Sequence, residues 1–122
     1  MIDETIRNSH KIVIKIGSST LTNEDGFIDK DFIENLALQI ETLRSIGKQV
    51  VIVSSGARIA GVSTIGKWSR KEDIHYKQAL CAIGQVELMD SYRRIFGKHN
   101  MHIGQILLTK EDLINRDRKS VV

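Results

Sequence analysis

Two short β-branched, apolar runs on either side of one helical stretch constrain this chain more than any other feature. Lys11-Ile12-Val13-Ile14-Lys15-Ile16 is near-continuously apolar and stops at Gly17, and Gln49-Val50-Val51-Ile52-Val53 stops at Ser54-Ser55-Gly56. Such runs fit parallel strands covered on both faces. Between them, over 31–46, Phe32, Ile33, Leu36, Ala37, Ile40 and Leu43 recur at helical spacing and form one apolar stripe. Asp31 with Glu34 three residues later predicts a capping box, and Gly47 suits the position just past the helix C-terminus. Strand, helix and strand in this order form a βαβ unit, which favours a parallel sheet with a right-handed crossover. The expected fold class is therefore α/β with a mainly parallel sheet.

The remaining segments extend this pattern. Residues 18–27 carry turn formers, including Asn23-Glu24-Asp25-Gly26, and predict a loop or short hairpin. Residues 56–65 read as the start of a further helix, and 66–73 as a polar loop. A long helix is expected over 74–96, with Tyr76, Leu80, Ile83, Met89, Tyr92 and Phe96 facing the core. Gly84 inside it costs roughly 1 kcal/mol relative to alanine, which a close helix contact or a kink would explain. Residues 101–108 predict a third strand, and Thr109 with Asp112 three residues on predicts a following helix start. The chain has no proline, no low-complexity stretch and no internal repeat, so it reads as one unit.

Composition narrows the function classes. Eighteen Lys and Arg against 15 Asp and Glu give a net charge of +3 over 122 residues. The basic residues at 67–71, at Arg93 and Arg94, and at 116–119 are short, scattered clusters that fit solvated surfaces; nucleic-acid binding is not expected. One cysteine, Cys81, allows no intramolecular disulfide, and on an apolar helix segment it reads as a small buried hydrophobe. His10, His75, His99 and His102 lack metal-ligand spacing and read as surface or structural residues, and no metal site is expected. Trp68, beside Lys67 and Arg70, reads as a loop residue packed on the domain rather than a base-stacking one. Residues 1–11 hold no apolar signal region and no stretch has the length of a membrane span, so a cytoplasmic location is expected.

The two strand ends carry the candidate chemistry. Lys15 near the end of an apolar strand is expensive to bury unless an anion meets it, and Gly17 removes the side chain that would keep a phosphate from the backbone. Open α/β sheets bind ligands at this carboxyl edge. The alternative is a lysine reaching solvent from a sheet edge with a turn glycine behind it. Ser54-Ser55-Gly56-Ala57 ends the second run; free N–H groups and serine hydroxyls there suit an anionic ligand, although taken alone the serine reads better as an ordinary N-cap. The anion reading gains from the βαβ topology, which brings both strand ends to the same edge. Gly56 and Gly61 have the glycine spacing of a P-loop, but Val62-Ser63 stands where that motif requires Lys followed by Ser or Thr.

Four segments taken together resemble the amino acid kinase family. They are Ile12 to Ser19 with Leu21-Thr22, Val51 to Ala57, Lys77-Gln78-Ala79-Leu80 continuing through Gly84-Gln85, and Gly104 to Thr109 followed by Asp112-Leu113 and Arg116. The last two are the more particular to its glutamate-phosphorylating members. The resemblance implies a three-layer α/β/α kinase domain of which 1–122 is the N-terminal part. It further implies phosphorylation of the L-glutamate side-chain carboxylate by ATP, giving γ-glutamyl phosphate on the route to proline. Lys15 matches the family's phosphate-contacting catalytic lysine, with Gly17 and Ser18 beside it. Ser55, Gly56 and Ala57 match the glutamate pocket, and Mg²⁺ enters with the nucleotide. The full-length family member is expected to be a homo-oligomer, and these 122 residues alone to be inactive. Arg58 stands where the family carries an aliphatic residue. The alternatives are another amino acid kinase, acting on acetylglutamate, carbamate, aspartate or a nucleotide, and a non-catalytic half-domain.

Overall fold

The computed structural model describes residues 2–55, 74–107 and 110–114. In chain order they form α1 (Ile2–Asn8), β1 (Lys11–Ile16), α2 (Ser18–Leu21), α3 (Lys30–Ser45), β2 (Gln49–Ser54), α4 (Ile74–Gly97) and α5 (Lys110–Ile114). The expected βαβ unit is present: β1 and β2 pair in parallel, from Lys11 opposite Gln49 to Ile16 opposite Ser54. The fold class is α/β, as the sequence predicts.

Helix α3 follows the predicted stripe. Ile33, Leu36, Ala37 and Ile40 are buried, with Phe32 and Leu43 half-buried beside them. Its start differs from expectation: the cap is Asp29, whose Oδ1 accepts from the Phe32 amide at 3.0 Å, and Asp31 lies inside the first turn. The Asp29 contact is the usual one from cap residue to the third helical amide, and such caps contribute about 1 kcal/mol. The other end is as predicted. Gly47 has φ +87°, its amide donates to Arg44 O at 3.0 Å and the Lys48 amide to Leu43 O at 3.1 Å. That pair of bonds is a Schellman motif, and its left-handed residue favours glycine.

The core lies on one side of the sheet. Ile14, Ile16, Val50 and Ile52 face α3 and α4, meeting Ile33, Leu36, Ala37 and Ile40 from α3 and Leu88, Tyr92, Ile95 and Phe96 from α4. Leu21, fully buried at the end of α2, closes the cluster. On the opposite face Val13, Val51 and Val53 are 67%, 47% and 50% exposed, so the expectation of strands covered on both faces is met on one face only among the described residues.

Several local expectations change. Residues 18–27 do form a short hairpin, closed by a bridge between Thr22 and Ile28, but only after the single turn α2. Asn23 builds the bend: its Oδ1 accepts from the Asp25 and Phe27 amides, both at 3.0 Å, and Gly26 adopts φ +83°. Helix α1 was not foreseen, because its seven residues carry no apolar stripe. It is held at its C-terminal end instead, where Lys48 Nζ donates to Arg7 O at 3.0 Å and Ser9 O at 2.5 Å. Residues 101–107 are not a strand: they pair with neither free edge of the β1–β2 sheet, and no other ladder partner occurs among the described residues. In α4, Leu80, Gly84, Leu88, Tyr92, Ile95 and Phe96 form the inward stripe. Cys81 and Ile83 stand off that stripe and are exposed, which corrects the buried reading of both. Arg93 and Arg94 share Asp90 on the solvent side, each at 2.8 Å, as a solvated basic cluster should. No described helix is long and apolar enough to cross a membrane. The predicted elements over 56–73, with Trp68, Thr109 and the basic residues at 116–119, lie outside the described residues.

His99, in the turn after α4, fixes that turn to α3. Its Nε2 meets Glu34 Oε1 at 2.6 Å and its Nδ1 meets Glu41 Oε2 at 2.8 Å. The hydrogen bond to Glu34 raises the His99 pKa above its ordinary 6.5; partial desolvation opposes this, and Glu41 adds to it. A folded-state pKa above the unfolded one stabilises the fold fully below pH 6.5, and the effect fades as pH rises through the raised value. The melting-temperature advantage of wild type over His99→Gln is therefore expected to be largest in mildly acidic buffer and to shrink at alkaline pH. Thermal melts across that range check this, and a gap independent of pH would refute the ionic clamp.

Candidate active site

The unstaggered register ends β1 and β2 at the same level, so the segments after them leave the sheet side by side at its carboxyl edge. The ladder runs one step past β2, where the Ser55 amide donates to Ile16 O at 3.1 Å. Side chains alternate along a strand. Ile16 accordingly turns into the core, while Lys15 is exposed and shares the outward face with Val53, opposite it. Ser55 lies just past the end of β2 and is exposed at that edge.

Lys15 therefore does not meet the premise of a buried amine, since it stands on the open face. No hydrogen bond or ion pair engages its ammonium among the described residues, so the charge is available to an anion. Gly17 is the N-cap of α2 with φ −82° and ψ 163°, a conformation open to any residue. A Cβ there would meet nothing within 4 Å. Neither backbone strain nor packing explains the glycine, and the backbone beside Lys15 stays open to close approach.

Two hydroxyls join the segments across the edge: Ser18 Oγ and Ser55 Oγ are 3.2 Å apart. Ser18 is fixed by its own carbonyl, which accepts from Thr22 Oγ1 at 2.8 Å and from the Thr22 amide at 3.1 Å. Ser55 Oγ donates its proton to Ile16 O at 3.3 Å, which leaves Ser18 Oγ as the donor between the two hydroxyls. The structure thus gathers Lys15, Gly17, Ser18 and Ser55 at one sheet edge, while Gly56 and Ala57 lie outside the described residues. An ammonium, two hydroxyls and an open backbone segment can bind and orient an anion. Among the described residues, no three His, Cys, Asp or Glu side chains are grouped to hold a metal ion.

Sequence reasoning missed one polar contact behind this edge. Ser54 Oγ lies 2.9 Å from the Tyr92 hydroxyl of α4. Tyr92 is buried, and burial pushes its phenol pKa above the ordinary value against a smaller opposing effect of the Ser54 bond. A tyrosine placed on the inward stripe needs a partner for its hydroxyl, and that requirement was the available signal.

The pattern of the amino acid kinase family matches residues 10–122, and the chain belongs to that family. Among curated relatives, it is 64% identical over 119 residues to the glutamate 5-kinase of Alkaliphilus metalliredigens and 60% identical over 118 residues to that of Alkaliphilus oremlandii. These matches take in 98% and 97% of the chain, which spans 45% of the length of each relative. The glutamate 5-kinase of Thermotoga maritima is 44% identical over 108 residues, covering 88% of the chain and 30% of the relative.

Proposed function

We propose that residues 1–122 supply the N-terminal part of a single kinase domain that transfers the γ-phosphoryl group of ATP to the side-chain carboxylate of L-glutamate. The observation that carries this reading is the sheet edge, where Lys15 and the Ser18–Ser55 hydroxyl pair occur together in a chain so similar to glutamate 5-kinases. Phosphoryl transfer to a carboxylate needs little covalent help from the protein, because the acceptor is already ionised at neutral pH. It needs positioning and neutralisation of charge. In this reading the Lys15 ammonium binds phosphate oxygens and stabilises charge as it builds on the transferring group. The open backbone at Gly17 and Ser18 lets phosphate approach, and Ser55, with Gly56 and Ala57, orients the acceptor carboxylate. Mg²⁺ would come with the nucleotide and supply further charge neutralisation; no described carboxylate or imidazole group is assigned to it. The enzyme is placed in the cytoplasm, as a homo-oligomer in its full-length form, on the route to proline.

The reading is tested with a joined protein, this chain continued by the C-terminal part of the A. metalliredigens relative. Given ATP–Mg²⁺ and a panel of L-glutamate, acetylglutamate, aspartate and carbamate, it is expected to phosphorylate L-glutamate in preference to the others. Equal rates on the panel, or preference for another acceptor, would overturn the assignment.

A further inference from the structure

Tyr92 belongs to α4, outside the strand-end segments to which the family resemblance assigns the site residues, yet its hydroxyl reaches the residue just before Ser55. Its ring is held by the core: it lies 5.9 Å from the Phe96 ring at an interplanar angle of 73°, an edge-to-face contact, within the cluster that includes Ile16 and Leu88. The ring therefore has little freedom, and the hydroxyl is delivered to a fixed point 2.9 Å from Ser54 Oγ. Ser54 Oγ also lies 3.2 Å from Ser55 O. A chain of polar contacts thus runs from the buried helix through Ser54 to the backbone of Ser55, whose own hydroxyl meets Ser18.

We infer that Tyr92 is a positioning residue for the acceptor substrate: through Ser54 it sets the placement of Ser55 and of the chain that follows it. This rests on the reading of Ser55 as a contact of the acceptor carboxylate. With burial holding the phenol protonated, the hydroxyl serves as a neutral hydrogen-bonding post and takes no proton in the reaction. Ser55 keeps its direct bonds to Ile16 O and Ser18 without Tyr92, so Tyr92 tunes the site and does not create it.

The test uses Tyr92→Phe, which deletes one oxygen and keeps the ring against Phe96. In the joined protein, Y92F is expected to raise the KM for L-glutamate about 3- to 10-fold, the worth of one hydrogen bond, with kcat and the KM for ATP nearly unchanged. Ser54→Ala, which also removes the contact to Ser55 O, should raise the KM at least as far. The double variant should be no worse than Ser54→Ala alone, because without Ser54 Oγ the Tyr92 hydroxyl has nothing to act through. A second readout uses the 122-residue chain itself: Y92F should speed amide hydrogen exchange at Ser55 while leaving the middle of β1 protected. General loosening of the core would speed both. Wild-type KM in Y92F while Ser55→Ala raises it would overturn the role of Tyr92 and leave the kinase reading standing. Wild-type KM in Ser55→Ala would overturn the reading of Ser55, and this inference with it. If Y92F fails to fold, S54A alone decides, since Ser54 lies at the strand end outside the core cluster.

Discussion

Lys15→Met in the joined protein is expected to reduce kcat for glutamate phosphorylation by about 10²- to 10³-fold, the usual consequence of losing one group that stabilises developing charge. Methionine keeps an unbranched side chain on the strand and removes only the ammonium. Because Lys15 is exposed and no described residue engages it, the change should leave the melting temperature close to wild type. That separation makes the result diagnostic. A lysine that merely reaches solvent from the sheet would give near-normal kcat, and the same outcome would remove Lys15 from the site. Lys15→Arg should recover only part of the rate, since a planar fork replaces a compact point charge on a segment shaped for close approach.

The second large effect concerns stability. Ile33→Ala is expected to destabilise the fold by about 2–5 kcal/mol, because the side chain is fully buried where α3 meets the sheet and α4, and truncation leaves a cavity as well as losing burial. For a domain whose total stability is of order 5–15 kcal/mol, that is a large fraction. Leu38→Ala on the same helix is the control. Leu38 is 49% exposed, so the loss should stay within about 0.5 kcal/mol. Urea unfolding of the 122-residue chain compares the two, and similar midpoints for both variants would refute the placement of the core on the Ile33 face of α3.

What could be read from the sequence follows from the range of the interaction that decides each feature. The stripe of α3 and the strand Lys11–Ile16 are written in local periodicity and β-branching, and both stand in the structure as read. Gly47 was legible for the same reason, since a left-handed residue after a helix is a local requirement. The cap was misplaced by two residues because Asp29 and Asp31 are equally good caps by type, and only the backbone path from the hairpin chooses between them. Cys81 and Ile83 depended on which side of α4 turns inward, a matter of packing against α3 rather than of composition. The site followed the same rule. Lys15, Gly17, Ser18 and Ser55 were identifiable as residues at strand ends that a βαβ topology brings to one edge, while the contact between the Ser18 and Ser55 hydroxyls depends on the register that pairs Ile16 with Ser54. The Ser54–Tyr92 contact spans 38 positions, and nothing local signals it beyond the need of a buried phenol for a partner.

Lys48, which reaches from just before β2 to two carbonyls around the end of α1, has a consequence for how such a chain can change. Together with the bond from the Gln49 amide to His10 O at 2.8 Å, it anchors the amino-terminal end of the sheet, some six residues of strand away from the Ser18 and Ser55 hydroxyls. Robustness and chemistry are thereby lodged at opposite poles of the same two strands. On the proposed kinase reading, replacements that reinforce the anchored pole raise resistance to heat without disturbing phosphoryl transfer, and the opposite pole can be altered for a new acceptor while the foundation beneath it holds.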